Sequence, residues 1–255
     1  MRLAPDRFVD WLSTRVHQNG LGYTYHYHPR SDAHSVALCR LIWQDFLAAC
    51  EVLRLQTERG DVVCGINTRF SWPNTGKAKT LDLAIGPPRT TLLQGGTEPV
   101  VKAQLADVFL SCEAKSVMTE HGKSQPRVFD ELSSSHEIIH QGNQKALATG
   151  ITVVNICDTF ISPLRQKTPG DPYVSRHNQP EAAANMVRHL RGLPIREAVG
   201  QVGFDAYATV VLACSNRADE PVALCTSPPA PQPGDQDHYE TFVKRIVRSY
   251  SERFG

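Results

Sequence analysis

Two stretches decide how this chain is read: Thr80-Leu81-Asp82-Leu83-Ala84-Ile85 and Asp107-Val108-Phe109-Leu110-Ser111-Cys112-Glu113-Ala114-Lys115-Ser116-Val117. Both are short, apolar and partly β-branched or aromatic, the first closed by Gly86-Pro87-Pro88, so both read as strands. Each carries charge where a core strand should carry none. Residues two apart on a strand share a face, so Glu113 and Lys115 project together. Burying such a pair is costly unless both groups meet partners. With Asp82 on a neighbouring strand, two carboxylates and an ammonium converge, and that makes a cage for a hard divalent cation, which takes oxygen ligands.

The flanking sequence supplies the remaining elements. Residues 5–18 read as a short helix, followed by a loop over 20–30 rich in aromatic residues and histidine. The apolar stripe of Val36, Leu38, Leu41, Ile42, Phe46, Leu47, Cys50 and Leu53 predicts one helix over 32–58, with Asp32 as its N-cap. A strand at 61–70 and a turn at 72–77 lead into the Asp82 strand, giving a three-stranded antiparallel meander that the 87–100 loop completes. After a polar loop at 118–127, a helix is expected over 127–149, stopped by Gly150, and then an apolar strand over 151–157. Strand, helix, strand implies a parallel crossover. Residues 203–215 read as another core strand, and 237–250 as a closing amphipathic helix.

Asp82 followed by Glu113-Ala114-Lys115 resembles the signature of the PD-(D/E)XK nucleases. The order helix, three strands, helix, strand is similar to the core of that family. The resemblance spans roughly 62–157 and departs in one place: Leu81 stands where a proline often precedes the aspartate. It implies an α/β (α+β) fold with a restriction-endonuclease-like core, in which helices flank a central mixed β-sheet. It also implies an Mg²⁺-dependent endonuclease of the type II restriction or phage-defence kind, with Mn²⁺ as a possible substitute. Asp82, Glu113 and the Ala114 carbonyl would hold the metal, and Lys115 would hold or deprotonate the attacking water. Glu51, with Asp45 behind it, is the candidate for the extra acid that a preceding helix often lends. Double-stranded DNA is the expected partner and a homodimer the expected assembly, giving two sites for two strands.

Composition agrees with a chain of 255 residues built as a single domain, with its core at about 32–157 and a basic insertion at about 159–200. The formal net charge of +1 means that any basic surface is local. Within 159–200, Arg165, Lys167, Arg176, Arg188, Arg191 and Arg196 stand against Asp171, Glu181 and Glu197. The DNA contacts expected are Lys123, Arg127, Gln144, Lys145, Arg165, Lys167 and Arg176. Seven scattered cysteines without CxxC spacing read as reduced thiols of a cytoplasmic protein, and no signal peptide or membrane-spanning run is apparent. A competing motif is His136-Glu137-Ile138-Ile139-His140, a formal HExxH whose histidines share a helical face and suit zinc. It offers a zinc metalloprotease as the alternative. Gly142, Asn143 and the lack of a clear third ligand count against it. A non-catalytic, nuclease-like nucleic-acid-binding module is the third reading.

Overall fold

The computed structural model describes residues 2–90, 96–165, 168 and 172–255; Lys167, Asp171 and residues 91–95 of the expected 87–100 loop lie outside them. The described elements are, in order, α1 (Ala4–Thr14), β1 (His17–Gln18), β2 (Thr24–Tyr25), α2 (Ala33–Ala49), α3 (Glu51–Arg59), β3 (Val63–Ser71) and β4 (Ala78–Gly86). There follow β5 (Val100–Val101), β6 (Leu110–Val117), α4 (His121–Gly142), β7 (Leu147–Asn155), β8 (Thr159–Ile161), β9 (Val174–Arg176), α5 (Glu181–Leu190), β10 (Ala206–Ala213), β11 (Ala223–Leu224) and α6 (Tyr239–Phe254).

Seven strands form one mixed sheet in the order β11-β10-β7-β6-β4-β3-β5. The meander is present, with β3–β4 and β4–β6 antiparallel. So is the crossover: β6 and β7 are parallel on either side of α4, and β10 adds a further parallel strand. Helices α2 and α6 cover one face of the sheet and α4 and α5 the other, so this is an α/β fold. β7 is buried at all nine of its residues, as a central parallel strand covered on both faces should be.

Several boundaries differ from expectation, those of two helices most. The helix expected over 32–58 breaks at Cys50, which is buried and extended (φ −116°, ψ 101°). Beyond the break α3 packs on α6 while α2 lies across the sheet, which one straight rod cannot do. Asp32 precedes α2 but makes no side-chain cap; it accepts instead from Asn67 Nδ2 at 3.0 Å. The central helix begins six residues early, with Pro126 inside it, and ends at Gly142. Gly150 is therefore no helix stop: it pairs with Glu113 and Tyr207 inside the sheet, where a Cβ would stand 3.0 Å from the Tyr207 ring.

The β3–β4 hairpin changes sides along its length. Cys64, Ile66, Leu83 and Ile85 pack into the core under α2, whereas Phe70, Trp72 and Leu81 pack into the core under α4. The crossover point is Asn67, with φ +50°, between the pairs Ile66–Leu83 and Thr68–Leu81. A residue in the left-handed region bends the strand there, and Asn tolerates that region better than most side chains. The outer half of the hairpin consequently folds over the end of α4. Asn74 Nδ2 donates to the Gly142 carbonyl at 3.0 Å, and Lys77 Nζ to Gln141 Oε1 at 2.7 Å. Trp72 lies so close to Gly142 that a Cβ would overlap its indole ring.

The Gly142→Ala variant tests this seam. It is expected to lose about 1–3 kcal/mol of stability, as overpacking against a rigid buried ring does, although alanine favours helix. A chemical-unfolding midpoint equal to wild type would show that the hairpin does not clamp the helix.

Candidate metal and phosphate site

The site forms where β4 and β6 stop pairing. Their ladder holds Ile85–Leu110, Ala84–Ser111 and Leu83–Cys112, while β6 goes on pairing with β7 as far as Val117. Asp82 is the next residue out of the ladder, and its Oδ2 accepts the Ala114 backbone N–H at 2.8 Å. The side chain thus replaces the strand bond that the bend removes. In a strand the N–H and C=O of one residue leave on the same side, so the Ala114 carbonyl faces the same gap.

Glu113 is buried, with 5% of its surface exposed, and projects toward α4. Its Oε1 lies 2.8 Å from Lys115 Nζ, its Oε2 lies 3.2 Å from Lys79 Nζ, and Ser135 Oγ donates to Oε2 at 3.3 Å. Lys115 also reaches Glu131 Oε2 at 3.1 Å, and Arg127 closes the chain onto Glu131 Oε1 at 3.1 Å. Asp82, Glu113, Ala114 and Lys115 are therefore brought together. Lys79, Glu131 and Ser135 belong with them. Glu131 and Ser135 are four apart, hence on one face of α4, a spacing readable in sequence once that helix is set against the Glu113 strand.

The electrostatics are those of a pocket of charges short of water. Burial, and then the Glu113 carboxylate, push the Asp82 carboxyl up to about 6, against the Ala114 hydrogen bond and the two lysines. Burial works against the Lys115 ammonium, but Glu113 and Glu131 outweigh it and raise Lys115 above its ordinary value. Glu131 is held low, with Lys115 and Arg127 overcoming its own desolvation. Among the described residues no cluster of three or more His, Cys, Asp or Glu side chains has metal-binding geometry. The oxygen donors here are two carboxylates and one carbonyl. That set suits Mg²⁺, which keeps several waters and leaves positions for a phosphate.

Other expected residues lie elsewhere. Glu51 opens α3 with its side chain 79% exposed and pairs with Arg54 at 3.9 Å, on a helix packed against α6. Asp45 is buried and fully used, accepting from the Ala4 N–H at 2.7 Å and Tyr239 Oη at 2.9 Å and pairing with Arg7. Neither reaches the gap, because the break at Cys50 turns α3 away and Asp45 faces α1. Gln144 and Lys145 fall in the turn after α4, beyond the helix's early end; their carbonyls accept from Arg196 at 3.1 Å and Arg253 at 3.3 Å. Lys123 and Arg127 stand exposed on the first turns of α4, and Arg165 joins Lys123 on Glu120 at 3.2 and 3.4 Å. Arg176 is exposed on β9. Arg196 is not a surface cation at all: it is buried against Asp205 at 2.9 Å.

The HExxH string lies within α4, on another side from Glu131 and Ser135. His136 is buried edge-on against Phe204, and neither of its ring nitrogens has a partner. Burial first, then His140, lowers it to about 4, so its ring is neutral. His140 Nε2 lies 3.3 Å from Asp205, and both histidines border a separate cavity of about 190 Å³ with Gln144 and Arg196. His26, from the aromatic loop, spans the Arg15 and Glu220 carbonyls at 2.7 and 2.9 Å, a structural tie rather than a ligand. No helix among the described residues is long and apolar enough to cross a membrane.

No protein-family model, no curated protein and no solved structure matches this chain.

The raised Asp82 value has a sign. An unfolded aspartate titrates near ~3.9, so the folded chain holds this proton more tightly. The metal-free fold gains stability from it below about pH 4 and loses that gain as pH rises through about 6. In EDTA, Asp82→Asn is therefore expected to flatten the melting-temperature profile across that window and to melt above wild type at about pH 8. Parallel profiles for the two proteins would contradict the assignment.

Proposed function

We propose that this chain is a divalent-cation-dependent endonuclease of the PD-(D/E)XK type, acting on the phosphodiester bonds of double-stranded DNA. One observation carries the reading: Asp82 bonds the Ala114 N–H and so lies against Glu113-Ala114-Lys115 where two strands part. A purely structural ion-pair network has no need to leave a strand carbonyl facing a pair of carboxylates. The donors fit Mg²⁺, with Mn²⁺ as a substitute, held by Asp82, Glu113 and the Ala114 carbonyl. When bound there, the cation would polarise the phosphoryl oxygen and neutralise the charge that develops on it.

The chain's own residues divide the remaining work. Lys115 is held as an ammonium by two carboxylates, so it orients a water and donates to it rather than removing its proton. Glu131, itself held by Arg127, gives Lys115 a second anchor beside Glu113. Ser135 fixes the rotamer of Glu113 from the helix side. Lys123, Arg127 and Arg165, exposed near the start of α4, supply cations for the DNA backbone, which dominates affinity without reading sequence. A homodimer would place two such sites on the two strands of a duplex, which suits a restriction or phage-defence role in the cytoplasm. The zinc-protease reading is weaker, since His140 is engaged by Asp205 and Arg196 crowds the same pocket.

Cleavage of supercoiled plasmid and phage DNA decides between them. With Mg²⁺, wild type is expected to cut, Lys115→Ala to be slower by about 10²–10³-fold, and His136→Ala to cut like wild type once its folding is verified. Cutting indifferent to Lys115 would overturn the site, and zinc-dependent proteolysis lost in His136→Ala would replace the reading altogether.

A further inference from the structure

Glu113 is gripped by two lysines from two different strands, and the two are not equivalent. Lys115 has a second anchor, Glu131, at 3.1 Å. Lys79 has none: among the described residues Glu113 is the only acid within ion-pair distance of it. Lys79 also arrives by a different route. It stands three residues before Asp82 on the outer half of the bent hairpin, and only the bend at Asn67 brings it over the sheet to Glu113. Its side chain is largely sheltered, 18% exposed, at the margin of the gap that the Ala114 carbonyl faces.

A divalent cation and Lys79 compete for the same carboxylate. When Glu113 gives its oxygens to a cation, Lys115 remains tethered by Glu131, while Lys79 loses its only counter-charge inside a sheltered pocket. A desolvated ammonium without a partner is unfavourable, and the anion that a phosphodiester brings to this gap is the natural replacement. We propose that Lys79 is a phosphate-binding residue of this site: in the metal-free chain it occupies Glu113, and when a divalent cation takes that carboxylate it pairs with a non-bridging oxygen of the phosphodiester. This rests on the nuclease reading above. It assigns the two lysines different duties, with Lys115 kept on the water side by Glu131 and Lys79 transferred to the substrate.

Lys79 is thus an obstacle to the metal and an aid to the substrate, so its removal has effects of opposite sign. The full-length chain is titrated with Mn²⁺ alone by calorimetry, as wild type, Lys79→Gln and Lys79→Arg. DNA affinity is then measured with Ca²⁺ across a salt series, and single-turnover cleavage is measured at saturating Mg²⁺. Lys79→Gln is expected to bind Mn²⁺ several-fold more tightly, to lower the slope of log affinity against log salt by about one, and to slow cleavage by at least about tenfold. Lys79→Arg, which keeps the charge, is expected to recover most of the DNA binding. Equal unfolding midpoints establish that the variants are folded. Cleavage by wild type together with undiminished cleavage or an unchanged salt slope in Lys79→Gln would overturn the role of Lys79 and leave the nuclease standing. Tighter Mn²⁺ binding without any loss in cleavage would reduce Lys79 to a counter-ion and overturn it equally. A wild type that cuts no DNA with either Mg²⁺ or Mn²⁺ would remove both readings together.

Discussion

The hydrogen bond from the Ala114 N–H to the Asp82 carboxylate is the contact on which the rest of the site depends. A sheet whose strands separate leaves backbone groups bare, and a buried bare amide costs as much as a lost hydrogen bond. Here the separation follows from the left-handed Asn67, which bends the β3–β4 hairpin over α4, and the bare amide is satisfied by a side chain instead of a strand. The carboxylate is thereby fixed in the plane of the gap, beside Glu113. Burying two acids together is unfavourable, and the protein offsets it with two lysines and with a proton that Asp82 gives up reluctantly.

Packing around the gap fixes the groups that line it. Trp72 wedged on Gly142, and Phe70 and Leu81 under α4, hold the outer hairpin in the position that delivers Lys79. At the far end of the parallel strands, buried Asn155 joins the loops: its side chain donates to the Met118 and Cys214 carbonyls and accepts from the Cys157 and Cys214 amides. Its carbonyl accepts from His121 at the start of α4. The helix carrying Glu131 and Ser135 is thus pinned at both ends, which sets the distance between it and Glu113. None of these residues carries charge into the site, yet each fixes a group that does.

Much of this was legible in the sequence, and the failures have physical causes. The meander, the crossover and the meeting of Asp82 with Glu113 and Lys115 follow from strand periodicity and from charges set in apolar runs. The helix boundaries did not follow. The polar stretch 118–127 reads as a loop and Gly150 as a stop, yet most of the first, with Pro126, lies inside α4, and the second sits in the sheet with Tyr207 packed against it. The misplaced end put Gln144 and Lys145 at the site in place of Glu131 and Ser135. Lys79 was hidden because an unbent hairpin gives no reason for it to cross the sheet; the clue was Asn67, a turn-forming residue in the middle of a strand. Arg196 counted as a surface charge although Asp205, nine residues on, neutralises it in the core. The HExxH string belongs to the buried side of a helix, where His136 packs on Phe204.

A divalent cation held in the gap between β4 and β6 will show itself through its anomalous signal in crystals grown or soaked with Mn²⁺. The expected peak lies between the Asp82 and Glu113 carboxylates and the Ala114 carbonyl, with Lys79 withdrawn from Glu113 and Lys115 still on Glu131. A gap left without a peak at saturating Mn²⁺, with both lysines still on Glu113, would leave the cluster as a buried ion-pair network and not a metal site.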